Sequence, residues 1–368
     1  MEMERQNKKM QVWNLLAEKI RKLVEESVSN PEELQEIRIR TGQPLLIQMK
    51  GQERVLPDPV HPYLVTKEDI GETMGYICHY SLYAYENEYK RFITVEGGHR
   101  VGVAGKVIIE NEKVKNIQYI SSLNVRISHE VLGCADALIP YITENKQICH
   151  TLIISPPCCG KTTLIRDLIR QISDGNEYIK GCSVGVVDER SELGGCYLGI
   201  AQNHLGTRTD ILDCCPKAEG MIMLIRSMAP RVIAVDEIGT SEDIHAIEYA
   251  MQCGCRLIAS VHSLDMDEAS KKPILGDLIR RRMFQRYVVL GQDHGPGKIR
   301  EIYDERGRVA VQKLVGCFLI LLATTGAGWM YGKELRNYLE ELSHFRRIIE
   351  QIKGELLYAG LPLSEIFL

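Results

Sequence analysis

The stretch Ser155-Pro156-Pro157-Cys158-Cys159-Gly160-Lys161-Thr162-Thr163 limits what this chain can fold into more than any other. Leu152, Ile153 and Ile154 lead into it, and Leu164, Ile165, Leu168 and Ile169 lead out at helical spacing. The local reading is a strand, a tight loop and a helix. Backbone N–H groups in such a loop point inward at phosphate oxygens, and the helix N-terminus adds the positive end of its dipole. In that arrangement Lys161 reaches the β- and γ-phosphates and the Thr162 hydroxyl holds Mg²⁺, so ATP and Mg²⁺ are the expected cofactors. One residue departs from the usual phosphate loop, which opens with Gly where this chain has Ser155. Ser tolerates fewer backbone angles, so hydrolysis is expected to be slow unless φ is negative there.

The same kind of apolar run recurs downstream. Val184–Val187 ends in Asp188-Glu189-Arg190, Val232–Val235 ends in Asp236-Glu237, and Leu257–Val261 ends in His262. Near-continuous apolar runs suit parallel strands covered on both faces, and ligands of open α/β sheets gather at the carboxyl ends of the strands. Lys161, Thr162, Asp188, Glu189, Asp236, Glu237 and His262 all fall at such ends. Asp236 is expected to hold Mg²⁺ with Thr162, through the metal's water shell, and Glu237 to polarise the attacking water. The bland alternative for Asp236 and Glu237 is a helix N-cap pair. For Asp188 and Glu189 it is capping or an ion pair with Arg190, and for His262 a satisfied structural histidine. Arg208 and Arg226 are candidates to neutralise charge on the transferring phosphate, from this subunit or a neighbour, and the alternative for both is a solvated or structural role.

Before the loop the texture differs. Val12, Leu15, Leu16, Ile20, Leu23, Val24 and Val28 stand at helical spacing over 10–28. Glu36–Arg40 and Leu45–Ile47 read as strands around the turn Thr41-Gly42-Gln43-Pro44. Arg38 and Arg40 share a strand face that is either solvated or reaches a phosphate. Thr66-Lys67-Glu68-Asp69 matches a guanine-reading pattern but precedes the loop, so it is read as a helix cap over an Ile70, Met74, Ile77 stripe. Segments at 92–95, 100–109, 117–120 and 121–127 read as strands. The expected division is an α+β domain over 1–147, a P-loop NTPase α/β core over 148–308, and a tail over 309–368.

The tail carries nineteen uncharged residues, 314–332, bracketed by Lys313 and Lys333. That is about the length needed to span a bilayer, so a single-pass anchor is expected, with a buried helix or apolar hairpin as the alternative. Beyond it Leu335, Leu339, Leu342, Phe345, Ile349, Ile352 and Leu356 form one helical stripe that needs a partner. The formal charge of −4 and the lack of a basic tail argue against nucleic acid as the main partner. The twelve cysteines include no C-x-x-C spacing, so they are read as free thiols in a reducing compartment rather than zinc ligands. The polar opening MEMERQNKKMQ does not read as a signal peptide.

Several segments together resemble the stage III sporulation protein AA family. They are Val187–Glu192, residues 210–230, Val232–Gly239, Glu36–Leu45 and Ser121–Val131. That family is similar to the secretion ATPases of type II and type IV pilus machines. The resemblance implies a P-loop core of the RecA/secretion-ATPase kind. It also implies a ring-forming, hexameric ATPase on the mother-cell side of a sporulation channel, at the cytoplasmic face of the membrane and with other stage III proteins as partners. It assigns Asp188/Glu189 to an acidic box, His262 to a histidine box and Arg226 to an arginine ahead of the second acidic strand. Lys313–Gly328, with the helix up to residues 361–367, resembles the beginning of stage III sporulation protein AB, joined here by a natural fusion or by a frame error. Two other readings stay open: a nucleic-acid-translocating P-loop motor, and a nucleotide-binding scaffold that hydrolyses little.

Overall fold

A computed structural model of the chain describes residues 12–78, 92–157, 159–291 and 297–358. The chain forms two compact units, Met1–Val309 and Ala310–Leu368. The first unit opens with a 3-10 turn, Val12–Leu15, and helix α1 (Glu18–Ser27). The spacing over 10–28 predicts one continuous helix, but it breaks at Ala17, whose N–H is taken by the Thr73 hydroxyl at 3.0 Å. The stripe is nonetheless buried at Val12, Leu16, Ile20, Val24 and Val28.

Strands β1 (Leu34–Arg40), β2 (Leu45–Met49) and β3 (Gln52–Leu56) are followed by helix α2 (Lys67–Ile77), then β4 (Ile93–Val95), β5 (His99–Glu110) and β6 (Lys113–Arg126). They form an antiparallel sheet in the order β3-β2-β1-β6-β5-β4. The segments read at 117–120 and 121–127 are parts of the single strand β6, because the register with β5 shifts at Ala104/Lys106 and resumes rather than ending. Thr66 caps α2 in a reciprocal box with Asp69, which disposes of the guanine-reading pattern. On β1, Arg38 is half-buried against Glu36 at 2.9 Å.

A two-residue ladder, β7 (Thr143–Glu144) with β8 (Gln147–Ile148), precedes the second sheet. That sheet contains β9 (Thr151–Ser155), β10 (Val184–Asp188), β11 (Thr209–Asp213), β12 (Val232–Val235), β13 (Arg256–His262), β14 (Arg286–Gly291) and β15 (Lys298–Asp304). Their order is β11-β10-β12-β13-β9-β14-β15, parallel from β11 to β14 and antiparallel between β14 and β15. Helices α3 (Lys161–Asp174), α4 (Lys217–Ser227), α5 (Ser241–Gln252), α6 (Met266–Lys271) and α7 (Pro273–Arg280) connect the strands. Met221, Leu224, Ile247, Ala250 and Leu278 from α4, α5 and α7 share one core with Leu152, Ile154, Val187, Ile233, Val235 and Leu257. The alternate strand residues Ile153, Val186, Ala234 and Ile258 are buried as well, so both faces are covered, as parallel strands require. Gly220 lets α4 lie close on β10: a Cβ there would come within 2.5 Å of Val187 Cγ1.

His150 enters β9 partly buried, and burial pushes its imidazole down to about 4 from 6.5. The fold therefore favours the neutral ring. Stability from this group is complete above pH 6.5 and is lost as pH falls from 6.5 through 4. Over that window the wild type should lose on the order of 2 kcal/mol relative to His150→Gln, measured as urea midpoints against pH.

The second unit contains α8 (Lys313–Tyr358), entered from β16 (Val309–Gln312). Leu335, Leu339, Leu342, Phe345 and Ile349 stand exposed along it. Side chains at 310–323 lie outside the described residues. Among the described residues no helix is long and apolar enough to cross a membrane. The single-pass anchor read over 314–332 gains no support from the described residues, and the side chains at 314–323, more than half of that stretch, lie outside them.

Candidate active site

Ser155 is the last residue of β9, in register with His262 on β13, and it is absent from the positive-φ positions. Strand backbone suits any residue, so the missing glycine at this position strains nothing, and the reason for expecting slow hydrolysis falls away. Its hydroxyl donates to the Pro156 carbonyl at 2.8 Å. Pro157 is exposed, Cys159 is buried with its thiol on the Pro157 carbonyl at 3.5 Å, and Cys158 lies outside the described residues. The loop needs a glycine at Gly160, where φ is 78° and helix α3 begins. The first N–H groups of that helix, from Lys161 through Thr163, have no carbonyl one turn earlier to bond, so they are available to an anion.

Lys161 is the centre of the site. It is 5% exposed, and its Nζ donates to Asp236 Oδ1 at 2.6 Å, Glu237 Oε1 at 3.2 Å and Ser260 Oγ at 3.2 Å. Thr162 Oγ1 lies 3.5 Å from Asp236 Oδ2. Ser260 Oγ also donates to Asp236 Oδ1 and accepts the Glu237 N–H at 3.0 Å. The adjacent strands β9, β13 and β12 thus deliver Lys161, Ser260 and Asp236 to one point at their carboxyl ends.

Glu237 occupies the left-handed region at φ 56°, an uncommon conformation for a side-chain-bearing residue. It makes three side-chain contacts: Lys161 and His262 Nε2 (2.7 Å) on Oε1, and Arg190 Nη1 (2.7 Å) on Oε2. Burial pushes this carboxyl up, but Lys161, His262 and Arg190 outweigh it and hold it below its ordinary value. Neither Asp236 nor Glu237 caps a helix. Thr240 caps α5, so the bland reading of the acidic pair is excluded. His262 is held between Glu237 and the Ser155 carbonyl, the latter at 3.2 Å from Nδ1.

The other expected residues lie apart from this cluster. Asp188 is 2% exposed and its carboxylate accepts three backbone N–H groups, from Glu192 at 2.7 Å and from Leu193 and Gly194 at 2.8 Å. It organises the segment after β10 and does not contact Lys161. Burial pushes its pKa up to about 6 against those hydrogen bonds. Glu189 pairs with Lys217 at 2.6 Å and lines a separate cleft of about 470 Å³ with Arg190, Phe92, Tyr197 and Cys214. Arg226 is exposed near the end of α4, one loop ahead of β12, and so at the opposite edge of the sheet from Asp236. Arg208 precedes β11 at that same far edge, bonded to the Ser173 carbonyl at 2.9 Å. The idea that Arg208 serves this site within one chain is therefore corrected by strand direction.

Sequence reasoning missed Ser260 as a site residue and read Arg190 only as an ion-pair partner of its neighbours. A lone Ser in the apolar run Leu257–Val261 was the available signal. A second cleft, about 610 Å³, opens beside the loop and is lined by Gly160, Thr163, Gly297, His129, Glu130 and Cys134. The donor set fits a magnesium triphosphate: a glycine-hinged loop at a helix start, a buried lysine, a hydroxyl facing a carboxylate, and a second carboxylate beside it.

Comparison with known proteins bears on the family and the fold. Residues 6–310 match the family model "Sporulation stage III, protein AA", and residues 313–368 match "Stage III sporulation protein AB". The Stage III sporulation protein AA of Bacillus subtilis (strain 168) is 44% identical over 279 residues, covering 75% of this chain and 89% of that protein. The pilus retraction motor PilT with bound ADP is 13% identical, with a TM-score of 0.51 over 83% of this chain and 88% of that one. The Yersinia pseudotuberculosis ATPase DotB is 17% identical, with a TM-score of 0.50 over 72% of this chain and 74% of that one. These likenesses give the fold, a P-loop α/β core of the secretion-ATPase type. The extent of the family match and the B. subtilis relative place the chain in the family Sporulation stage III, protein AA.

Proposed function

We propose that this chain binds ATP with Mg²⁺ at the 155–163 loop and hydrolyses it, as the motor of a secretion-like assembly built in stage III of sporulation. The observation that supports this most is the meeting of Lys161, Thr162, Asp236 and Glu237 at the carboxyl ends of neighbouring parallel strands. Lys161 and the loop amides hold the β- and γ-phosphates, while Thr162 and Asp236 hold the magnesium. Bound magnesium supplies neutralisation of the developing phosphate charge. Glu237 orients and polarises the attacking water. His262 fixes the side of Glu237 that Lys161 shares, and Arg190 fixes the other. The cleft beside Gly160 and Thr163, which Glu32, Glu33 and Lys50 also line, is the place this reading assigns to base and ribose.

Membership of the family supports a place in a sporulation complex, with other stage III proteins as partners at the cytoplasmic face of the membrane. A ring of subunits, a hexamer, with hydrolysis shared across interfaces, would give the exposed Arg226 a neighbouring site to reach. Specific activity should then rise steeply with protein concentration, and chelation of Mg²⁺ by EDTA should end phosphate release until the metal is restored. Phosphate release that is indifferent to EDTA would sink the metal-dependent reading.

A further inference from the structure

Arg166 lies in the second turn of α3, on the same helix as Lys161. Its guanidinium is largely buried, and its hydrogen bonds among the described residues end on backbone carbonyls. Nε and Nη2 donate to Glu192 O at 3.0 and 2.8 Å, and Nη1 donates to His129 O at 3.0 Å. A buried guanidinium is costly to keep for packing alone, since its charge must be desolvated.

From Glu192 the contacts lead back to the site. The Glu192 N–H is held by Asp188, and its carboxylate pairs with Arg100 at 3.1 Å. Arg100 Nη2 also donates to the Arg190 carbonyl at 2.7 Å, and the Arg190 side chain reaches Glu237 at 2.7 Å. Glu237 in turn holds Lys161. The contacts close a ring that leaves α3 at Arg166 and re-enters it at Lys161, passing through the segment after β10 and the candidate water-polarising carboxylate.

We propose that Arg166 is a positioning residue that couples occupancy of the phosphate loop to the seating of residues 188–194, and through Arg190 to Glu237. An anion gripped by the first turn of α3 shifts that helix against its neighbours. The planar fork of Arg166, with two donors on one carbonyl, transmits the shift to Glu192 without swivelling. Lysine would make one point contact there and transmit less.

This inference rests on the reading of the loop as a nucleotide site, and its test separates the two. Hydrogen exchange of the Glu192, Leu193 and Gly194 amides is followed in the full chain with and without the slowly hydrolysed analogue ATPγS and Mg²⁺, beside a direct binding titration. In wild type the analogue should change their exchange by about tenfold. In Arg166→Gln the affinity should stay within about threefold while that change falls to about twofold or less, with Arg166→Lys between. A purely structural arginine would instead raise exchange equally with and without analogue and leave the difference intact. If Arg166→Gln does not unfold cooperatively, Arg166→Lys carries the same comparison. A full nucleotide-dependent change in the folded variant overturns the coupling, as does wild type that binds analogue with no change in these amides. Wild type that binds no analogue fails the nucleotide reading itself, and the coupling with it.

Discussion

Glu237→Gln should lower phosphate release at saturating ATP by about 10²–10⁴-fold, the range for loss of a positioned general base, while nucleotide still binds. The amide keeps the side chain's length but removes the charge that holds Lys161, His262 and Arg190. Lys161 would retain Asp236 and Ser260 and so remain aimed into the loop. Affinity should therefore be unchanged or slightly tighter, since one carboxylate competing for the lysine is gone. Fluorescent-nucleotide titration and a phosphate-release assay on the same preparation check both halves. Equal release by the two proteins would leave Glu237 without the assigned role.

Lys161→Ala should weaken nucleotide binding by about 10²–10³-fold, because removing one member of a buried charge pair costs several kcal/mol. It should also destabilise the folded chain. Asp236 and Glu237 are only 13% and 18% exposed and would lose the cation at 2.6 and 3.2 Å. Glu237 keeps His262 and Arg190, whereas Asp236 keeps only its hydroxyl partners among the contacts described. Asp236 should therefore bear most of that cost, about 2–3 kcal/mol. The second substitution Asp236→Asn in the Lys161→Ala background should recover part of the lost stability in urea unfolding without restoring nucleotide binding.

Much of the architecture was legible because its signals are local. The apolar runs at 152–154, 184–187, 232–235 and 257–261 marked buried parallel strands, and Thr66 with Asp69 marked a helix start. β3 and β15 escaped notice, since mixed polar and apolar residues in short strands read equally well as loops; β14 escaped although Tyr287–Leu290 is a continuous buried apolar run like those of the other parallel strands. The break at Ala17 escaped for another reason. The helical stripe continues through it, and only the distant Thr73 hydroxyl shows that its N–H is used elsewhere. The span at 314–332 was read from its lack of charge, its length and its bracketing lysines, and the side chains of its apolar half, 314–323, lie outside the described residues.

The residue pattern alone specified a strand–loop–helix with a lysine at the helix start and carboxylates closing later strands. Those facts depend on neighbours along the chain. Tertiary structure decided the rest: β9 inserts beside β13, with β12 next, so Lys161 meets residues 75, 76 and 99 positions away. The same arrangement commits Asp188 to backbone amides and leaves Arg208 at the far edge. Parallel pairing has no local code. Strand order is set by how helices cover both faces of the sheet, and a side chain's partners follow from that order rather than from its own sequence.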